Sequence, residues 1–130
     1  MGQYDSALLL YESALEISRS ELGDRHLQTS TSMNNLAGLY QSMRQYDRAL
    51  PLFEIALKIC RSELGDCHPL TATGLHNLAG LYFETDRISE AFQAMTEALH
   101  IREQILGMEH PDTVSSREGL AAIQQAIADQ

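Results

Sequence analysis

The chain has no tryptophan, three phenylalanines, three prolines and two cysteines among its 130 residues. Basic residues are few as well: nine Lys and Arg stand against 18 Asp and Glu, a formal charge of −9. That deficit argues against nucleic acid and anionic membrane surfaces as partners, because both require clustered Lys and Arg. Long apolar runs are missing too. The longest, from Ala7 to Tyr11, is about five residues, far short of the roughly 20 that a spanning helix needs. No charged-then-apolar leader opens the chain, so no signal peptide is expected.

The cysteines do not form a framework. Cys60 falls in the last turns of a helical stretch and Cys67 just past its end, so a bridge between them would require the helix terminus to fold back on itself. A Cys60, Cys67 and His68 metal site lacks a fourth ligand and a closing second pair. Two unpaired thiols are expected, in keeping with a soluble, cytoplasmic chain in a reducing compartment. No metal or other cofactor is expected.

What is present is a period. Leu22-Gly23-Asp24-x-His26 returns as Leu64-Gly65-Asp66-x-His68 and again as Leu106-Gly107-x-x-His110, a spacing of 42 residues. Laying residues 1–42 over 43–84 gives 26 identities. Such a period marks a solenoid, in which each unit buries its apolar face by stacking on its neighbours. The core is therefore a row of small interfaces, within one domain spanning 1–130.

Each unit divides into two helical stretches, B and A. In 47–64, Ala49, Leu52, Phe53, Ala56, Leu57, Cys60 and Leu64 form a helical stripe. Asp5, Asp47 and Ser89 are placed to serve as N-caps of the B stretches. Pro51 is expected in the first turn or just beyond it, where it costs little. Gly23, Gly65 and Gly107 follow the last leucine of each B stretch, where a left-handed residue ends a helix. The A stretches run over 27–43, 69–84 and 111–128, with Pro69 and Pro111 near the first helical position. His26, His68 and His110 mark the boundary before them. Three evenly spaced histidines could suggest metal or proton chemistry, but a turn residue bonding local backbone is the better reading. The order is B-A-B-A-B-A, six helices with short loops. Its units are 1–24 (half), 25–66, 67–108 and 109–130 (half). Met1 and Gln3 align with Met43 and Gln45, so an excised fragment or a chain with open ends is expected.

At Asn34-Asn35-Leu36-Ala37-Gly38-Leu39-Tyr40 and Ala56-Leu57-Lys58-Ile59, the chain resembles the tetratricopeptide repeat (TPR) family. Its period, the L-G-x-x-H-P junctions and the N-L-A-x-L-Y of helix A are similar to the kinesin light chain type. The resemblance covers the whole chain. It implies an all-α, right-handed solenoid of antiparallel helix pairs, with A helices lining a concave groove and B helices forming the convex back. It also implies a scaffold or adaptor that binds protein partners.

On the first A helix Met33, Leu36, Ala37 and Tyr40, with Thr29 and Met43 nearby, form the apolar arc. The opposite arc carries Thr31, Asn34, Asn35, Gly38, Gln41 and Ser42. Its counterpart in the next unit carries Thr73, His76, Asn77, Gly80, Phe83 and Glu84. These positions match the groove-facing ones of peptide-binding TPR domains. Residues 27–43 and 69–83 contain no formal charge, unlike an ordinary solvated helix face. A surface of amides and hydroxyls suits the backbone of an extended peptide. Asn35 and Asn77 are the leading candidates, since an amide both donates and accepts. Gly38 and Gly80 suggest close backbone approach, either of a ligand or of the neighbouring A helix, with packing favoured. Phe83 could stack on a ligand or be partly buried. Tyr40 and Tyr82 are assigned to the core, and Glu12, Glu54 and Glu63 to a solvated back.

Related grooves that take acidic ligands carry Lys or Arg on their A helices; here those positions are neutral, and Arg117 is the only base in the third A helix. A strongly acidic partner is therefore not expected. No nucleophile elbow, phosphate loop or metal-helix motif appears, and no catalytic residue is assigned. At the ends, Leu8, Tyr11 and Leu15 on one side and Leu120 and Ile123 on the other are expected to expose apolar stripes. These would allow head-to-tail self-association. The alternative to a peptide-binding groove is a structural, self-associating segment of a larger regulatory protein, bacterial ones included. A basic partner on the acidic back is a third reading.

Overall fold

The computed structural model describes residues 2–130. Met1, which the repeat aligns with Met43, lies outside the described residues. Six α-helices follow in chain order: α1 (Gly2–Leu22), α2 (Leu27–Ser42), α3 (Tyr46–Leu64), α4 (Pro69–Glu84), α5 (Ile88–Ile105) and α6 (Pro111–Ala128). No strand occurs among the described residues. The three A helices, α2, α4 and α6, match the sequence reading to within a residue.

The junctions explain those boundaries. Gly23, Gly65 and Gly107 take φ of +99°, +91° and +91°, the left-handed region that ends each B helix. His26, His68 and His110 then act as N-caps: each Nδ1 accepts from the backbone N–H two residues on, at 3.0 Å. The local-backbone reading of the three histidines is therefore what the geometry shows. A buried threonine three residues later ties the junction further. Thr29 donates to the Gly23 carbonyl and Thr71 to that of Gly65, both at 2.7 Å, while Thr113 donates to Arg102 O at 3.2 Å.

The starts of the B helices correct the sequence reading. α1, α3 and α5 begin at Gly2, Tyr46 and Ile88, so Asp5, Asp47 and Ser89 lie inside the first turn and do not cap. The reason is a tight return that does not require a side-chain cap. Arg44 and Asp86 adopt φ of +61° and +64°, and the next N–H closes back on Tyr40 O or Tyr82 O at 2.8 Å. Each new helix therefore starts at once. Pro51 consequently lies more than a turn inside α3, deeper than expected, where its missing N–H removes a helical bond.

By contacts the chain divides into two compact units, residues 1–63 and 64–130. In the first, Met33, Leu36, Ala37, Leu39 and Tyr40 of α2 are buried, as are Ala49, Phe53, Ala56, Leu57, Ile59 and Cys60 of α3. α1 packs on α2, with Leu15 buried and a Ser18–Ser32 hydroxyl contact at 3.2 Å. In the second, α5 packs on both α4 and α6 around Leu75, Leu78, Ala79, Leu81, Met95, Ala98, Ile101 and Ile123. The Met95 thioether lies over Gly119, so close that a Cβ there would meet Cε at 2.7 Å.

The expected apolar end stripes are corrected as well. Leu15 and Ile123 are buried, and Leu8 and Leu120 are half-buried, because these faces pack within their own units. Tyr11 is exposed, as expected. The exposed apolar surface of α1 is instead the neighbouring face, Leu9, Leu10 and Ile17, each more than 60% exposed. No helix among the described residues is long and apolar enough to cross a membrane.

Candidate partner-binding faces

In the first unit, α2 turns Met33, Leu36, Ala37 and Tyr40 inward, which leaves the uncharged arc outward. Thr31, Asn35 and Ser42 are exposed; Asn34, Gly38 and Gln41 are half-buried. Thr31 and Ser42 hydroxyls donate to carbonyls one turn back, Leu27 O at 3.2 Å and Gly38 O at 3.1 Å, so part of their capacity is spent locally. The Asn35 amide has no hydrogen-bond partner among the described residues. Asn34 Oδ1 is buried and unpaired. A Cβ built on Gly38 meets no heavy atom within 4 Å, so helix packing does not account for this glycine, contrary to the sequence reading.

In the second unit, Thr73, His76, Asn77 and Gly80 are half-buried on α4 and Phe83 is exposed. Asn77, like Asn35, makes no hydrogen bond within the described residues. Tyr82 is half-buried, with the Arg87 guanidinium over its ring at 4.5 Å, and so is less enclosed than the buried Tyr40.

Thr73 and His76 are engaged in a cluster that sequence reasoning missed. Arg102 of α5 is only 5% exposed. Its Nη1 donates to Ser116 Oγ at 2.8 Å and to Asp112 O at 3.0 Å, and lies 3.2 Å from His76 Nδ1. Nη2 donates to Thr73 Oγ1 at 3.3 Å, and Nε is buried without a partner. His76 Nδ1 also lies 3.0 Å from Ser116 Oγ. Burial holds the His76 pKa below its ordinary value, Arg102 lowers it further, and Asp112 opposes them. Burial also pulls the Arg102 guanidinium down, with Asp112 again opposing. One signal for the cluster was legible: Arg102 stands where the repeat places Cys60 and Ser18, a charge at a position otherwise small.

Cys60 is buried, with Sγ 3.7 Å from Ser30 Oγ, and Cys67 is exposed; both are free thiols. No group of three or more His, Cys, Asp or Glu residues that could hold a metal occurs among the described residues. Two clefts open in the first unit, of about 490 and 310 Å³, around the 22–27 junction and the end of α3. Neither is lined by a candidate groove residue.

Helix pairs at a fixed period, joined by the same histidine-capped junction, define a helical-repeat protein. The chain belongs to the tetratricopeptide repeat family, whose model matches residues 1–62 and 33–104. The crystal structure of BtubC (BKLC) from P. vanneervenii superposes with a TM-score of 0.89 at 28% identity, covering 98% of this chain and 51% of that one. A putative kinesin light chain of nearly identical TPR-like repeats from Podosopora anserina gives 0.89 at 29% identity, covering 98% and 60%. The chain thus spans between half and three-fifths of these two structures. No curated protein matches it. TPR domains in general are non-enzymatic scaffolds for protein partners.

Proposed function

We propose that this chain is a scaffold or adaptor module whose uncharged A-helix faces, that of α2 in one unit and that of α4 in the other, each take an extended segment of a partner protein. It performs no chemistry of its own. The observation that carries the reading is the pair Asn35 and Asn77, equivalent amides without internal hydrogen bonds on helices free of charge from 27 to 42 and from 69 to 83. Each amide can donate to a carbonyl and accept from an N–H of a peptide backbone. The partner segment is not strongly acidic. A cytoplasmic setting agrees with the two free thiols.

The test is a random-peptide display selection on the full chain, counter-screened with an Asn35→Ala/Asn77→Ala variant. Enriched peptides that lose binding with the folded variant support the reading. An absence of enrichment counts against it.

The exposed face of α1 favours a second reading. Leu10, Ala14 and Ile17 are exposed, whereas Ala94, Ala98 and Ile101, their equivalents in α5, are buried. A second copy offering an A-type helix would cover that face head-to-tail. Sedimentation at rising concentration is expected to show association that Leu10→Lys/Ile17→Lys abolishes; a monomer at millimolar concentration would sink this reading.

A further inference from the structure

We infer that His76 is a fixed neutral hydrogen-bond donor on the partner-binding face of α4, locked by Arg102 and offering Nε2–H to an uncharged acceptor such as a backbone carbonyl of the bound segment. This rests on the proposed function and adds a residue and a polarity to it.

The lock follows from donor and acceptor accounting. A guanidinium nitrogen only donates. The two Nη1 hydrogens of Arg102 go to Ser116 Oγ and Asp112 O, and this cationic nitrogen lies 3.2 Å from His76 Nδ1, so a proton on Nδ1 would set positive charge against positive charge. Ser116 fits the same assignment. Its oxygen accepts from Nη1 at 2.8 Å, so its own hydrogen is free to donate to Nδ1 at 3.0 Å. With Nδ1 an acceptor, the neutral ring carries its proton on Nε2. The ring is held from three helices: its own α4, Arg102 on α5 and Ser116 on α6. Asp112, at the start of α6, is the carboxylate nearest in effect.

Nε2 makes no hydrogen bond within the described residues, yet it is not among their buried unpaired atoms, which are Asn34 Oδ1 and Arg102 Nε. It is therefore not fully shielded from solvent, on a half-buried residue one position before Asn77, whose amide is also unengaged. Arg102 as a whole is 5% exposed, and its guanidinium hydrogen bonds go to Ser116, Asp112 O and Thr73. Arg102 is thus a positioning residue, and an anion would find no direct contact with it. An uncharged acceptor is what the imidazole N–H fits.

The first readout is long-range ¹H–¹⁵N NMR of the His76 ring in the full chain. The shifts of an Nε2–H tautomer are expected to persist as the pH is lowered through the ordinary histidine range near 6.5. In Arg102→Met the ring should titrate closer to that range and populate both tautomers. The second readout uses synthetic peptides taken from the display selection. His76→Phe, which keeps a ring but has no donor, should weaken them roughly tenfold or more; amidating the peptides' carboxylates should change little.

An Nδ1–H tautomer, or protonation near 6.5 in the wild-type chain, overturns the lock without reference to any peptide. Peptides that bind His76→Phe as tightly as wild type overturn the donor role while leaving the proposed function standing. Loss of binding on carboxylate amidation overturns the choice of an uncharged acceptor. A selection that enriches nothing removes the proposed function and this inference together.

Discussion

Gly38 isolates a local cost with no packing benefit inside the chain. A mid-helix glycine is about 1 kcal/mol worse than alanine, and the space around its missing Cβ is open. Gly38→Ala should therefore raise the urea unfolding free energy by about 1 kcal/mol; a fall would mean that the site is occluded. The converse holds at Arg44, whose φ of +61° a residue with a Cβ adopts at a cost of about 1–2 kcal/mol. Arg44→Gly should stabilise by up to about 1 kcal/mol once the glycine's extra unfolded-state entropy is deducted. A thermal or urea midpoint that drops on this substitution would count against the assigned turn. The three histidine caps belong to this scale too: their role was legible because a cap is a local event, repeated at one place in each unit.

At the scale of the element, α4, α5 and α6 meet at Arg102. His76 is the group there with the pH consequence. Its folded pKa lies below the unfolded value near 6.5, so in that window the unfolded chain binds more protons. Stability is therefore full above about pH 6.5 and falls as the pH drops toward the folded value. The urea midpoint should decline from about pH 7.5 to about pH 5, and His76→Asn should flatten that decline. An unchanged slope in the variant would assign the effect to other histidines. Helix boundaries at this scale were readable for A helices, where His-Pro and glycine punctuate the chain. They were misread for B helices, because a left-handed Arg44 or Asp86 does not advertise itself as glycine does.

At the scale of the whole molecule, charge decides the choice of partner more than shape does. A chain of net charge −9 whose A-type faces on α2 and α4 are neutral offers an acidic segment little compensation, and the guanidinium of buried Arg102 is hydrogen-bonded within its own unit. Acidic peptides are expected to bind at least tenfold more weakly than neutral ones of equal length at physiological salt, an expectation from charge repulsion and unpaired desolvation. Isothermal titration of a matched pair, Glu-rich and Gln-rich, checks it; tight, saturable binding of the acidic member would overturn it. The class of fold was legible at this scale because a period of 42 residues leaves few architectures that bury each unit's stripe.

The sequence by itself determined the number and order of the helices, the bounds of the A helices, the histidine-capped junctions and the charge-free faces. All of these depend on contacts within a few turns or on a pattern repeated along the chain. Tertiary structure alone decided which face of α1 stays exposed, that Gly38 has open space beside it, and that Arg102 reaches Thr73 and His76 from another helix. The last of these depends on side chains 26 and 29 residues apart in sequence meeting across packed helices. A long side chain's reach and the orientation it imposes on its neighbour are set by that packing, and local propensity carries no record of either.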